Sequence, residues 1–463
     1  MLSLSLAVTA WLGGLTTLML ELAAGRLLRI FLGASNLVWA AIIGLILLYL
    51  TLGAWLGGRL ADRWPSRQSL AWVFMAAAVG VVVAAVAARP FLLRASTALG
   101  QGRFSVLLLA FVTVLLFFAW PVTLLGMVSP MVLRLAQPRP DQVGRVSGWV
   151  SAIGTLGAFL GTFLPDLVLV PWLGIRRTFL LIALLLATWG LYLWPRSRTR
   201  VVLALGWMAL GAWLWFVWSA GPLRPAPGLI YEKESAYNLI QVWEREGWRL
   251  LILNEGQGVH SIYHPEHLTA KGSWMHFHAA PFLQGPPFEP GQVRSVAIVG
   301  LAGGTAARQA AAFYPHLQHI TGWEIDPEVL AVGYQFFGLG EVTLLEARVQ
   351  DGRLGLRQDP RRYDLIILDA YRPPYIPAHL ATREFFQLVR AHLTEHGAVA
   401  LNVGRTEHDR RLVDAFYATL STVFPTVYGM DVPGTYNTVL YASPRAIANP
   451  RENLFQQAQR LAR

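Results

Sequence analysis

The chain has no cysteine, which excludes disulfides, thiolate catalysis and cysteine-bound metals. Charge is scarce: 14% of the 463 residues are charged and the mean hydropathy is +0.44, too apolar for a wholly soluble protein of this size. Residues 1–228 lack lysine altogether and hold only four acids (Glu21, Asp62, Asp141, Asp166) against 17 arginines. The remainder carries 21 basic and 23 acidic residues, so the basic character belongs to the first half. Arginines at the ends of apolar runs suit phosphate headgroups. No basic stripe interleaved with aromatics is present, so nucleic acid is not an expected partner. The opening "MLSLSLAVTAWLGGLTTLML" has no basic leading segment and reads as a first apolar span rather than a cleaved signal.

Apolar runs are plentiful. Crossing a bilayer takes about 20 apolar residues. Seven stretches qualify, roughly 4–28, 37–58, 69–88, 104–133, 146–170, 178–194 and 201–219, predicting a helical transmembrane bundle over residues 1–220. Trp39, Trp172, Tyr192, Trp194 and Trp218 near their ends suit an interfacial belt. Gly154, Gly157 and Gly161 in "GTLGAFLG" are spaced to let two helices approach closely. Glu21 and Asp166 are the acids set within these stretches, both near an end, where snorkelling or a helix-end role fits. "GGRLADRWPSR" (57–67) resembles the loop between the second and third helices of major-facilitator transporters, and also reads simply as a basic loop with a turn.

Residues 221–228, "GPLRPAPG", form a stiff Pro/Gly linker and a domain boundary. Residues 229–290 alternate as strands do and predict a small β region. From 291 to 463 apolar strands alternate with helical patterns, the signature of a doubly wound α/β domain with a parallel sheet covered on both faces. Ligands on such sheets bind beyond the carboxyl ends of the strands.

Four strand ends carry chemistry. "VAIVG" runs into a turn with Gly300, Gly303 and Gly304, where missing side chains let backbone approach a ligand; the spacing differs from the dinucleotide GxGxxG. The next ends at Glu324 and Asp326, about 20 residues on, where an acid can accept both ribose hydroxyls. The third ends at Gln350-Asp351, whose carboxylate can accept from an adenine amino group. The fourth, "LIILD", ends at Asp369. In this order they predict an adenosyl cofactor on a methyltransferase-type sheet. His260, His264, His267, His276 and His278 cluster in sequence, but acids are sparse nearby; a lid or substrate-loop role is expected rather than a metal site.

Over about residues 230–445 the sequence resembles the spermidine synthases, or polyamine aminopropyltransferases, and specifically their membrane-fused bacterial branch. The motifs are "SAYN", "LNEGQGVH", "VGLAGGT", "WEIDPEV", "VQDGR", "YDLIILDAY" and "REFFQLVRAHLTEHG". The resemblance implies transfer of an aminopropyl group from decarboxylated S-adenosylmethionine to a polyamine such as putrescine, releasing methylthioadenosine without a metal. It assigns the ribose to Glu324, the adenine amine to Asp351, and holding or deprotonating the attacking amine to Asp369. Asn238 aligns with a glutamine beside the cofactor, and a homodimer is a family expectation.

The chain departs from that pattern at Gly303, where the family carries an acid that grips the cofactor amine, and at Arg372, where it has a second acid after Asp369. A fixed cation at Arg372 suits a carboxylate better than a diamine. Tyr371, Arg372 and His260 are the substrate-side candidates, with Tyr371, Tyr375 and the prolines at 373–374 forming a stiff wall. These departures keep two alternatives open: an S-adenosylmethionine-dependent methyltransferase or related transferase on another acceptor, and a non-catalytic transporter-like sensor of polyamine or cofactor. Arginine placement across the loops is nearly balanced, nine against seven. A cofactor made in the cytosol therefore decides the expected orientation: an integral protein of a prokaryotic inner membrane with its soluble domain in the cytoplasm.

Overall fold

A computed structural model of the chain describes residues 3–33, 35–98, 103–137, 139–254, 258–269, 272–370 and 376–462. The chain divides into two compact units. The first comprises Met1–Pro225 together with Glu232–Leu239; the second comprises Ala226–Tyr231 and Ile240–Arg463. The boundary is therefore not a single cut at the Pro/Gly stretch. Pro222 and Leu223 are held in the first unit by Arg176 and Arg89, whose guanidiniums donate to their carbonyls at 2.7 Å. Glu232 accepts from Leu223 N and Arg224 N.

The first unit is helical. Five helices among the described residues are long and apolar enough to cross a membrane: Leu4–Leu32, Val38–Arg63, Arg67–Ala95, Pro140–Leu193 and Arg198–Trp218. A sixth candidate is the pair Ser105–Phe117 and Ala119–Leu135, bent by 56°. The count differs from seven because the fifth and sixth sequence stretches join in one 54-residue helical run. At 1.5 Å per residue a straight run of that length would reach about 80 Å, against roughly 30 Å of hydrocarbon. It is interrupted at Gly174, whose φ of 80° and ψ of 162° are not helical. The break frees Ile175 N, which donates to Glu234 Oε2 at 2.8 Å. The glycine spacing has its expected use. A Cβ on Gly157 would lie 2.0 Å from Trp11 O, and one on Gly161 2.3 Å from Leu15 O, so helices Leu4–Leu32 and Val143–Leu164 touch backbone to backbone.

The strands belong to the second unit, except that Glu232–Glu234 of β1 and Leu239 of β2 fall in the first: β1 (Leu229–Glu234), β2 (Leu239–Arg245), β3 (Trp248–Leu253), β4 (Val259–Tyr263), β5 (Ser295–Val299), β6 (His319–Glu324), β7 (Leu345–Val349), β8 (Tyr363–Leu368), β9 (Leu393–Gly404), β10 (Thr426–Asp431) and β11 (Asn437–Ser443). The first four form the small sheet in sequence order; after β4, the regular elements among the described residues up to Gln292 are the short helical turns Trp274–Phe277, Ala280–Gln284 and Pro290–Gln292. The other seven form a Rossmann-like sheet ordered β10-β11-β9-β8-β5-β6-β7. Strands β5 to β9 pair in parallel, while β10 and β11 run antiparallel at one edge. Wholly parallel pairing fails there because the few residues between β10 and β11 form a hairpin, and a parallel return needs a crossover of a dozen or more.

Alternation explains the two covered faces. Val296 and Ile298 of β5 and Leu365 and Ile367 of β8 pack on one side with Ala307, Ala310 and Tyr314. Ala297, Val299, Ile366 and Leu368 pack on the other with Phe385, Phe386 and Val389. Each buried aliphatic side chain contributes about 1.5–3 kcal/mol. The chain runs β5, β6, β7 outward in one direction, then returns to β8 on the other side of β5. The topological switch point, where ligands bind in such sheets, therefore lies between β5 and β8.

The glycine contact yields a direct test. Gly157→Leu should destabilise the helical unit by about 1–3 kcal/mol or more, the usual range for overpacking. Gly144→Ala, where an added Cβ meets nothing within 4 Å, should melt like the parent. Thermal unfolding in detergent measures both, and parental melting of Gly157→Leu would refute the close contact.

Candidate active site

Register sets the site. Val299 of β5 pairs with Trp323 of β6 and with Leu368 of β8, and Glu324 pairs with Val349 of β7. The strands therefore end nearly level, and Asp369, the Gly300–Gly304 turn, Glu324 and Asp351 follow one another along a single edge. At about 4.8 Å per strand the edge from β8 to β7 spans roughly 14 Å, the length of a nucleoside with a short side chain.

The turn is held from three sides. Gly300 has φ of 90°, and a Cβ there would lie 2.5 Å from Ala370 N, so glycine alone lets β5 pass the end of β8. Ala302 adopts φ of 48°, a left-handed conformation that costs an alanine about 1–2 kcal/mol. What holds it is Glu324, whose Oε2 accepts from Ala302 N at 3.0 Å while Oε1 accepts from Asp326 N at 3.1 Å. From β4, Ser261 Oγ accepts from Gly303 N at 2.8 Å, and Thr305 Oγ1 accepts from Ile262 N and donates to its carbonyl. Gly304, at φ of 91°, opens helix Thr305–Phe313. A Cβ on Gly303 would meet Ser261 Cβ at 2.9 Å and Phe337 Cγ at 3.1 Å. Gly303 is thus packed too closely for a larger side chain without a shift of Ser261 or Phe337.

The carboxylates differ in state. Burial pushes Glu324 up to about 7 against the N–H groups of Asp326 and Ala302, which pull it down. Its remaining lone pairs suit two ribose hydroxyls. Burial also pushes Asp369 up to about 7; the opposing influence is Asn402 Nδ2, which donates to Oδ1 at 2.8 Å. Burial raises Asp351 too, but Leu354 N and His379 outweigh it and hold the carboxyl below its usual range. Its Oδ1 caps helix Gly352–Gln358 through Leu354 N at 3.0 Å, and its Oδ2 meets His379 Nε2 at 2.8 Å.

Other predicted residues go elsewhere. Asp326 is buried and caps helix Pro327–Phe336 through Glu328 N. The Gln350 side chain donates to Gln358 Oε1 at 2.6 Å, and only its backbone N–H reaches Glu324 O. His260 lies one residue before Ser261 in β4, at the bulge where the pairing with β3 shifts register; burial lowers it to about 4, leaving it neutral. Asn238 belongs to the first unit, in a turn where Ser235 Oγ accepts from Tyr237 N and Asn238 N, and Arg26 donates to the carbonyls of Ser235 and Ala236. Tyr371, Arg372, Tyr375 and the prolines between them lie outside the described residues. The histidines scatter: His267 stacks on Trp248 with His264 tilted against both, His276 contacts Gly272 O, and His278 is buried beside Phe313 and Tyr314.

Two residues at the edge escaped the sequence reading. His379 follows a stretch with no periodicity and had no signal. Asn402 had one: it is a polar residue near the carboxyl end of the apolar strand "GAVALNVG", the same pattern that marked Asp369.

Residues 280–443 match the family model of the spermine/spermidine synthase domain. A polyamine aminopropyltransferase of Vibrio vulnificus is 32% identical over 241 residues, covering 50% of this chain and 78% of that protein. A probable polyamine aminopropyl transferase of Bifidobacterium longum is 32% identical over 236 residues, and the match spans half of each chain. Polyamine aminopropyltransferase 2 of Ralstonia nicotianae is 26% identical over 412 residues, 82% of this chain and 75% of that protein.

Two variants test the electrostatics. Glu324→Ala removes the brace on Ala302 and the carboxylate expected to accept from a ribose. It should weaken methylthioadenosine binding by about 10- to 150-fold, the worth of a charged hydrogen bond, as read by calorimetry. Unchanged affinity would contradict the ribose assignment. Asp369 has a folded-state pKa of about 7 against an ordinary 3.8. The folded form therefore keeps a proton that the unfolded form releases, and stability falls as pH rises from about 4 to 7 and stays low above. Asp369→Asn should stabilise the protein at pH 8, by at most about 4 kcal/mol at 1.36 kcal/mol per pKa unit, with the gain vanishing below pH 4. A denaturation series across pH that shows no such convergence would contradict the buried carboxyl.

Proposed function

The chain belongs to the spermine/spermidine synthase family, and from that membership we propose that it is a membrane-bound polyamine aminopropyltransferase. It moves the aminopropyl group of decarboxylated S-adenosylmethionine to a diamine such as putrescine. The observation that carries the reading is Asp369: a buried carboxyl, pushed up to about 7, at the switch point beside the glycine turn. An alkylammonium with a pKa near 10.4 has no lone pair, and a base poised near neutrality suits removal of its proton. The amine nitrogen then forms a bond to the propyl carbon next to sulfur. The carbon–sulfur bond breaks with its electron pair going to sulfur, which leaves as the neutral thioether methylthioadenosine. No oxyanion develops, so positioning and the base supply the catalysis.

Glu324 takes the ribose and Asp351 the adenine amine, the latter sharing or displacing His379. The helical unit crosses the inner membrane and the second unit faces the cytosol, where adenosyl cofactors are made; the five to six apolar helices among the described residues support the first statement by length and composition. Homodimerisation belongs to the same reading as a family trait. A second reading, methyl transfer from S-adenosylmethionine, draws on Gly303: with no room for an acid at the turn, nothing there repels a cofactor carboxylate.

Purified protein given each cofactor with a panel of diamines, assayed for methylthioadenosine against S-adenosylhomocysteine, separates the two. Under the first reading, methylthioadenosine forms, kcat/KM falls below about pH 7 as Asp369 takes up its proton, and Asp369→Asn lowers turnover by about 10²–10⁴-fold with methylthioadenosine affinity retained. An Asp369→Asn enzyme at parental turnover would falsify the base assignment.

A further inference from the structure

One polar side chain at the ligand edge is used by none of these assignments. Asn402 lies on β9, where its neighbour Leu401 pairs with Leu368 of β8, and it is 8% exposed. Its Nδ2 donates to Asp369 Oδ1, while its Oδ1 is buried and meets no hydrogen-bond partner among the described residues. The orientation follows from charge. An ionised carboxylate offers only acceptors, so the amide turns its N–H groups to Asp369 and its oxygen the other way. Buried amide oxygens are almost always paired, and one left open beside the proposed base is an acceptor awaiting a donor.

The acceptor substrate supplies that donor. A primary alkylammonium has three N–H bonds. One proton passes to the Asp369 carboxylate, and of the two N–H bonds that remain, one can point at Asn402 Oδ1. The lone pair then lies in a direction fixed by two contacts rather than one. We propose that Asn402 is a second acceptor-binding residue, its Oδ1 taking an N–H of the attacking nitrogen while its Nδ2 fixes the Asp369 carboxylate. The site thereby selects a nitrogen with at least two N–H bonds. This rests on the aminopropyl-transfer reading.

The test uses the full-length protein and Asn402→Leu, nearly isosteric and without polar atoms, with Asn402→Ser as the second variant should leucine prevent folding. KM for 1,4-diaminobutane should rise by about 10- to 100-fold, the scale of one hydrogen bond to a charged group. Methylthioadenosine affinity by calorimetry should stay within about twofold of the parent, since a contact to the acceptor does not touch the nucleoside. With its donor gone, the Asp369 carboxyl should titrate at higher pH, read by isotope-edited infrared spectroscopy, and the acid limb of kcat/KM should move with it. An unchanged KM together with an unmoved titration overturns the proposal. So does a parallel loss of nucleoside affinity and melting temperature with the diamine KM unchanged, which is what a merely structural role would give. If the parent turns over no diamine, the aminopropyl reading fails by itself. The Asp369 titration in Asn402→Leu still decides the orienting role, and an unmoved titration overturns it.

Discussion

The ligand edge depends on one carboxylate bridging two backbone amides. Glu324 binds the N–H of Ala302 in the turn after β5 and that of Asp326 in the turn after β6, tying adjacent strand ends together. Without it, Ala302 has no evident reason to remain left-handed, and the turn that lets a ligand approach β5 loses its shape. In the proposed function the same carboxylate also accepts from a ligand, so that binding would reinforce the turn and the turn would present the acid. Ser261 and Thr305 complete the arrangement from β4 and the following helix, and Ser261 with Phe337 fills the space above Gly303.

Along the edge, environment sorts similar side chains into different roles. Asp351 is held ionised by its helix N-terminus and by His379, while Asp369 is desolvated with one amide donor. The first is a fixed acceptor. The second can exchange a proton near neutral pH. Carboxylates pushed to different protonation states a few strands apart are a general means of assigning acid–base work. Here the sheet register, not a loop, sets their separation.

Much of this was legible in the sequence. The apolar strands between helical patterns, and acids closing them at Glu324, Asp351 and Asp369, follow from the twofold period of a buried sheet and the rule that ligands gather at carboxyl ends. What escaped depended on pairing. The antiparallel β10 and β11 look like any other strands until their short connection is set against the crossover a parallel pair requires. Asp326 and Gln350 sat where ligand contacts were expected, but a cap and a neighbouring glutamine hold them. His260 falls on the bulge of β4 beside Ser261, which strand patterning alone does not locate. In the helical unit, hydropathy located apolar segments well, but it could not tell two spans from one long helix interrupted at Gly174, since a lone glycine reads as compatible with either.

The central claim is that one sheet edge reads a nucleoside in a fixed order and presents its sulfur to Asp369. The most direct measurement is an experimental structure of the full-length protein with methylthioadenosine. The account predicts ribose hydroxyls within hydrogen-bond distance of Glu324, the adenine amine at Asp351, and the sulfur turned toward Asp369 and Asn402. A nucleoside bound in the reverse order, or away from the ends of β5 and β6, would contradict it.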